Sequence, residues 1–189
     1  MLTSRKNPLI VIFMKIRFLS YIVLFLALAK PVYSSDDMTL WTQATDHIKE
    51  IWDNGRLELA LPVYTWHNRW CYDRDKIKDY NENPWGIGIG KYIEPTPDRR
   101  YGLLAMKLQD SFNKPELSTW YSWQKLWRPG QDFRPSLGFV AGITFRDNYN
   151  WLPIPGAAPT IGFDYKSFSV EALYIPGFDV LFTWLSWRF

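Results

Sequence analysis

Beyond Gly55, apolar side chains recur at every second position, the period of an extended strand whose two faces meet different surroundings. Leu57, Leu59, Leu61 and Val63 share one face, with Glu58, Ala60, Pro62 and Tyr64 on the other. Trp85, Ile87 and Ile89 alternate with Gly86, Gly88 and Gly90, and Leu104, Met106 and Leu108 with Leu103, Ala105 and Lys107. The longest run sets Leu137, Phe139, Ala141, Ile143 and Phe145 against Ser136, Gly138, Val140, Gly142, Thr144 and Arg146. Shorter runs follow at Ile161–Tyr165, Phe168–Tyr174 and Leu181–Phe189, while residues 118–126 are aromatic-rich with less regular parity. The pattern predicts about eight strands, each near the length that a tilted membrane strand needs.

The predicted connections alternate between short (96–100, 130–134, Ser167) and long (67–83, 110–115, 147–159). Short turns on one rim and longer loops on the other are how outer-membrane barrels are built. A soluble lipocalin-like barrel would also alternate, but with its apolar face inside. Here Gly86, Gly88, Gly90, Gly138, Gly142 and Gly162 share the less bulky face. Glycines in a small lumen are expected to leave room there, and the bulky face then suits lipid. The chain also ends on Phe189, in step with Leu185 and Trp187. Ahead of the strands, Leu40, Trp41, Ala44, Ile48, Ile51 and Trp52 recur at helical spacing, which predicts an amphipathic, interfacial helix within 36–55. The expected fold is all-β: an eight-stranded antiparallel transmembrane β-barrel over 56–189, preceded by that helix.

Residues 1–35 carry five basic residues and no acidic one, with an apolar run over 18–29 that is too short to span a bilayer comfortably. They are expected to be a cleaved signal peptide. The formal charge of +3 belongs to this segment. Of 22 basic residues 17 remain beyond it, against all 19 acidic ones, a net charge of −2, so the case for nucleic acid loses its support. The single cysteine, Cys71, excludes an intramolecular disulfide framework and a cysteine-based zinc site. Eleven Trp, eleven Tyr and twelve Phe exceed what a small soluble core uses and suit membrane interfaces instead.

Topology gathers the candidate chemistry. The first strand ends at His67 and the third at Asp110–Ser111, on the same long-loop rim, expected to face the cell exterior. A His beside a Ser and an Asp fits acyl transfer, because imidazole can take a hydroxyl proton near neutral pH. Adjacent residues of a strand point to opposite faces, so Asp110 and Ser111 address His67 together only if the backbone turns there. His47, on the polar side of the helix, is expected to be solvated. Pro62, Pro84, Pro159 and Pro176 lie in or beside strands, where proline interrupts the ladder; they either end strands or let lipid pass sideways through the wall.

Tyr64–Thr65–Trp66–His67, the segment from Tyr80 to Gly86, Asp110–Ser111–Phe112–Asn113–Lys114, Trp127–Arg128–Pro129, Arg146–Asp147–Asn148 and Tyr174–Ile175–Pro176–Gly177 together resemble, in order, the lipid A palmitoyltransferase family, PagP. The likeness covers about residues 37 to 189. It implies transfer of an acyl chain from a glycerophospholipid to a hydroxyacyl chain of lipid A, by a monomer without metal or diffusible cofactor. It places the catalytic residues on His67, Asp110 and Ser111. The expected mechanism has His67 as general base on the lipid A hydroxyl, Asp110 orienting it or offsetting its charge, and Ser111 as oxyanion stabiliser or transient nucleophile. The resemblance places lipid access at Pro62, Pro84, Pro159 and Pro176. It puts the floor that measures acyl length on Ser122, where a palmitate-specific member is expected to have Gly, so a somewhat shorter chain is implied. Phe112 stands where Trp is expected. The alternatives are a non-enzymatic small barrel serving adhesion or structure, and a soluble lipid-binding barrel.

Overall fold

The computed structural model describes residues 40–72, 74–127 and 132–189. The expected signal peptide lies outside the described residues. Helix α1 (Leu40–Asn54) stops at Gly55 and leads directly into β1 (Arg56–His67). A connection carrying the short helix α2 (Arg74–Lys78) reaches β2 (Gly86–Thr96), followed by β3 (Arg99–Gln109), β4 (Pro115–Leu126), β5 (Phe133–Arg146), β6 (Pro153–Tyr165), β7 (Phe168–Ile175) and β8 (Val180–Arg188). Each strand pairs antiparallel with the next, and β8 pairs with β1 to close the barrel. Closure removes the two free edges that an open sheet would present to hydrocarbon.

The side-chain parity settles which face meets what. Leu61, Ile87, Leu137, Ile161, Val170 and Leu185 stand exposed on the outside of the barrel. A soluble barrel would turn such residues inward; a continuous apolar exterior is a lipid-facing belt. Stacked rings band the short-turn rim: Phe133–Phe163 at 5.8 Å, Phe168–Trp187 at 5.5 Å and Trp187–Phe189 at 5.1 Å between centroids. In β3 the bulky aliphatic face is the inner one, because Leu104, Met106 and Leu108 are buried in the lumen. The lumen of this barrel is itself apolar at mid-height, so both faces of that strand are hydrophobic.

The lumen is layered. Behind the long-loop rim, Ala60, Met106, Val140, Leu173, Phe182 and Trp184 form a buried apolar cluster. Towards the short-turn rim this gives way to interlocked ions. Arg100 reaches Glu94 at 2.7 Å and Gln124 at 3.1 Å and pairs with Asp164. Arg188 meets Glu58 at 3.0 Å and Asp164 at 2.9 Å and pairs with Glu171. The glycines on the inner face only partly open the lumen, contrary to expectation. A Cβ on Gly138 or Gly142 would fall about 2 Å from the carbonyl oxygen of Trp123 or Thr119, so these two let β4 and β5 approach closely.

Helix α1 lies against the outside of β2 and β3. Ile51 is fully buried, and the Lys91 ammonium sits 5.4 Å over the Trp52 ring. His47 is not simply solvated: its ring meets the edge of Tyr101 at 4.6 Å, and Nδ1 lies 3.3 Å from Glu50. The barrel wall recruits a residue that the helix alone would leave in water.

Candidate active site

The first strand delivers its histidine through a defect. Glu58, Ala60 and Pro62 face the lumen, and continued alternation would point His67 into lipid. Against β8 the register slips between Pro62 and Tyr64, so Val63 is the extra residue of a bulge. Beyond it Thr65 and His67 turn inward and are buried. A bulge re-aims the side chains that follow, and proline, unable to donate to the ladder, is suited to one.

The same region opens the wall. Pairing of β1 with β2 stops at Ala60–Gly88, seven residues short of His67 on β1. Pro62 and Pro84 flank the unpaired stretch. On the other side, β6 pairs with β7 only from Thr160 to Tyr165, leaving residues 153–159 without a β7 partner. Pro159 and Pro176 flank that second gap. All four expected prolines thus sit where the ladder fails.

The β1–β2 connection folds back into the first gap. The Glu82 carbonyl accepts the Thr65 N–H at 2.9 Å, replacing a missing ladder bond. The Glu82 carboxylate accepts the His67 backbone N–H at 3.1 Å and lies 3.1 Å from His67 Nδ1. Arg69 grips both its oxygens, at 2.6 and 2.5 Å, and the Tyr64 hydroxyl donates to it at 3.3 Å. The hydrogen bonds from Arg69 hold the Glu82 carboxyl at about 2, well below the usual carboxylate range. An ionised carboxylate only accepts, so Nδ1 carries the imidazole proton and Nε2 is left as an acceptor. Nε2 is 3.0 Å from Ser111 Oγ, whose hydroxyl donates to it. The Tyr80 ring lies 4.6 Å from the imidazole, and Tyr72 meets it edge-on at 5.7 Å.

Asp110 does something other than face His67. Its Oδ1 accepts the backbone N–H groups of Phe112 and Lys114, each at 2.8 Å, and its own N–H donates to the Lys114 carbonyl at 2.8 Å. Asn113 adopts the left-handed conformation this tight turn requires (φ 59°). The turn breaks strand parity immediately after Asp110, which brings Ser111 to His67. The carboxylate at Nδ1 is therefore that of Glu82, while Asp110 holds the backbone turn through Oδ1 and its buried Oδ2 lies 3.9 Å from Arg146 Nε. Sequence reasoning passed over Glu82 because its role depends on a loop re-entering the wall. The available signal was an acidic residue within the same long connection as Arg69.

Ser122 faces the lumen on β4, one inward step from apolar Trp120 and one from Gln124, which donates to Glu171 at 2.9 Å. It thus stands at the boundary between the apolar layer and the ionic one. Opposite it is Gly102, whose missing Cβ would fall 2.8 Å from Ser122 Oγ. Among the described residues no group of three His, Cys, Asp or Glu is placed to hold a metal ion.

A lipid-facing barrel with a Ser–His–carboxylate array at the mouth of an apolar lumen is a membrane-embedded acyltransferase in architecture. Residues 47–186 match the model of a family described as "antimicrobial peptide resistance and lipid A acylation protein PagP". The chain is 43% identical over 152 residues to a lipid A acyltransferase PagP of Laribacter hongkongensis, covering 78% of this chain and 74% of that one. It is 43% identical over 162 residues to the protein of that name from Yersinia enterocolitica (82% and 79% covered), and 38% identical over 195 residues to that of Dickeya chrysanthemi (100% and 98% covered). The chain belongs to the PagP family, which with its fold makes it a Gram-negative outer-membrane barrel.

Proposed function

We propose that this barrel, as a monomer, transfers a fatty acyl chain from a glycerophospholipid to a hydroxyacyl chain of lipid A, with its active site at the outer face of the outer membrane. The observation that carries the reading is the 3.0 Å contact between His67 Nε2 and Ser111 Oγ, set over an apolar lumen that ends on a lattice of ions.

The donor enters sideways. The β6–β7 gap beside Pro159 and Pro176 is a break through which a chain can pass between bilayer and lumen without crossing hydrogen-bonded wall. Passage between β1 and β2, beside Pro62 and Pro84, has instead to part the Glu82 segment from β1. The chain then lies along the apolar layer, with its ester at the mouth. Ser111 Oγ attacks the ester carbonyl while His67 Nε2 takes its proton. Collapse of the tetrahedral adduct breaks the ester bond, and the departing lysophospholipid alkoxide takes that proton back. The lipid A hydroxyl next loses its proton to His67 and attacks acyl-Ser111, and the regenerated Ser111 alkoxide recovers the proton. Asp110 serves this sequence by holding the turn that presents Ser111.

The depth fits a long-chain donor. From Asp110 to Gly102, the level of Ser122, β3 rises about 3.3 Å per residue along a strand tilted by roughly 40°, close to 20 Å in all, which admits an extended chain of roughly 14–16 carbons. Ser122 in place of a smaller residue favours the shorter end. The test is incubation of the purified barrel in detergent with lipid A and phospholipids of defined chain length. Mass spectrometry should find lipid A heavier by one acyl group and an equal amount of lysophospholipid. Unmodified lipid A would leave only the non-enzymatic barrel.

A further inference from the structure

We propose that Glu82 is the positioning residue of His67, fixing its tautomer and offsetting its charge, and that it is held there by filling the gap between β1 and β2. The proposal deepens the acyl-transfer reading and rests on it for its kinetic consequences.

Three contacts that do not depend on one another converge on this assignment. The carboxylate meets both the backbone N–H and Nδ1 of His67, so it fixes the ring's rotation as well as its protonated nitrogen. The Glu82 carbonyl holds Thr65, two residues before His67 and past the bulge. The neighbouring Asn81 N–H donates to the Ser111 carbonyl at 2.8 Å, so one three-residue stretch touches both partners of the reacting pair. Asp110, the other acidic residue at this mouth with a claim on the role, has its Oδ1 engaged by two backbone N–H groups and its Oδ2 beside the Arg146 guanidinium, 3.9 Å from Nε, rather than at the imidazole.

The charges around the ring agree. The groups facing His67 are Glu82, Ser111, Tyr72 and Tyr80, with Arg69 and Tyr64 behind Glu82. Among these only Glu82 brings a negative charge to the imidazolium that forms when Ser111 loses its proton. A carboxylate orienting a catalytic histidine through the far nitrogen is the arrangement that keeps the near nitrogen available as a base. Its position has a consequence for traffic. Because the stretch from Asn81 to Asn83 occupies the β1–β2 gap, a lipid parting these strands at this height must displace Glu82, and the base is aligned only once the gap has closed again.

Two measurements on the intact barrel in micelles test this. The protein has two histidines, so ¹⁵N-imidazole spectra with a His47→Gln variant assign His67 without ambiguity. The wild-type ring should carry its proton on Nδ1, and Glu82→Gln should move its titration midpoint to lower pH; an unmoved midpoint or an Nε2 proton overturns the proposal whether or not the protein transfers acyl chains. In the transfer assay, Glu82→Gln should lower kcat about 10- to 100-fold with little change in donor KM, and carry the acid limb of the pH profile downward. Added acetate should partly restore Glu82→Ala. Wild-type kcat and limb in Glu82→Gln would equally defeat it, whereas failure of the wild-type barrel to transfer at all would defeat the acyltransferase reading and leave the spectra to decide the role of Glu82.

Discussion

Pro62 and His67 both face the lumen from one strand, although they stand five positions apart and a regular strand would put them on opposite faces. Val63 absorbs the difference as the extra residue of the bulge. Deleting Val63 removes the extra residue and leaves Pro62 and His67 an even four positions apart, so regular alternation then keeps His67 in the lumen. The expected result is a barrel that still shifts mobility on heating in gel electrophoresis, as folded membrane barrels do, and that retains transfer. Loss of transfer from a folded deletion variant would show that Val63 is more than an extra residue and that the bulge itself shapes the site.

Ser111 Oγ and His67 Nε2 share one hydrogen bond at 3.0 Å, so under the proposed mechanism their removal should not be additive. Ser111→Ala and His67→Ala are each expected to lower kcat by at least ~10³-fold, and the double variant by scarcely more. Slowing the second step by omitting lipid A should let acyl-Ser111 accumulate, visible as an intact-mass increase of one acyl group. An additive double variant would point to Ser111 acting apart from His67, as an oxyanion donor.

The strands, the lipid-facing side and the rim that carries the chemistry were legible because each depends on local periodicity. Leu137 to Phe145 cannot bury both faces, and His67 and Ser111 share a rim by counting strands. What escaped was whatever depends on contacts between distant residues. The slip at Val63 is a pairing event with β8: Pro62 marks an interruption of the ladder there, but not that the register against β8 shifts. Glu82 acquires its function only when its loop re-enters the wall. His47 looks polar on a helical wheel, and its partners Tyr101 and Tyr121 come from two barrel strands. Gly138 and Gly142 look like lumen space in the alternating pattern, whereas their role is set by carbonyls of the adjacent strand.

Arg69 is expected to matter through Glu82. With Arg69 in place the Glu82 carboxyl titrates near 2, below its ordinary 4.5. A depressed folded-state value means that the contribution of Glu82 to the rim is complete above the unfolded value and fades as pH falls towards 2. Glu82 therefore stays ionised throughout the neutral range. Arg69→Met removes the leading cause of the depression and also a cation near the imidazole, so the acid limb of activity should move to higher pH. Glu82→Gln should move it the other way. Matched pH–rate profiles of the two variants distinguish these signs, and shifts in the same direction would contradict the arrangement.

The ionic lattice under the lumen should govern stability rather than chemistry. Arg188 is buried and meets Glu58, Asp164 and Glu171. Arg188→Met leaves three buried carboxylates short of a counter-charge, an error that typically costs about 3–5 kcal/mol. Denaturant unfolding in micelles should show a loss of that order, with transfer retained while the barrel stays folded. A stable Arg188→Met barrel would mean that these acids take up protons instead, and the loss should then reappear as pH is raised.

Ser122 offers the sharpest reading of the lumen, because its effect has a sign in both directions. Its hydroxyl occupies the space that a Cβ on Gly102 would enter, at the level where apolar lining gives way to Gln124 and Glu171. Ser122→Gly deepens the apolar layer and should lengthen the preferred donor by about one or two carbons, while Ser122→Met should shorten it by more, since each methylene at a closed pocket end is worth roughly 1–3 kcal/mol. Gly102→Ala tests the same level from the facing strand and should also shorten the chain. Competition among donors differing by single methylenes, with products weighed by mass spectrometry, reads all three shifts at once. If the preferred length stays fixed in all three variants, the chain ends elsewhere in the lumen and the Ser122 level is not its floor.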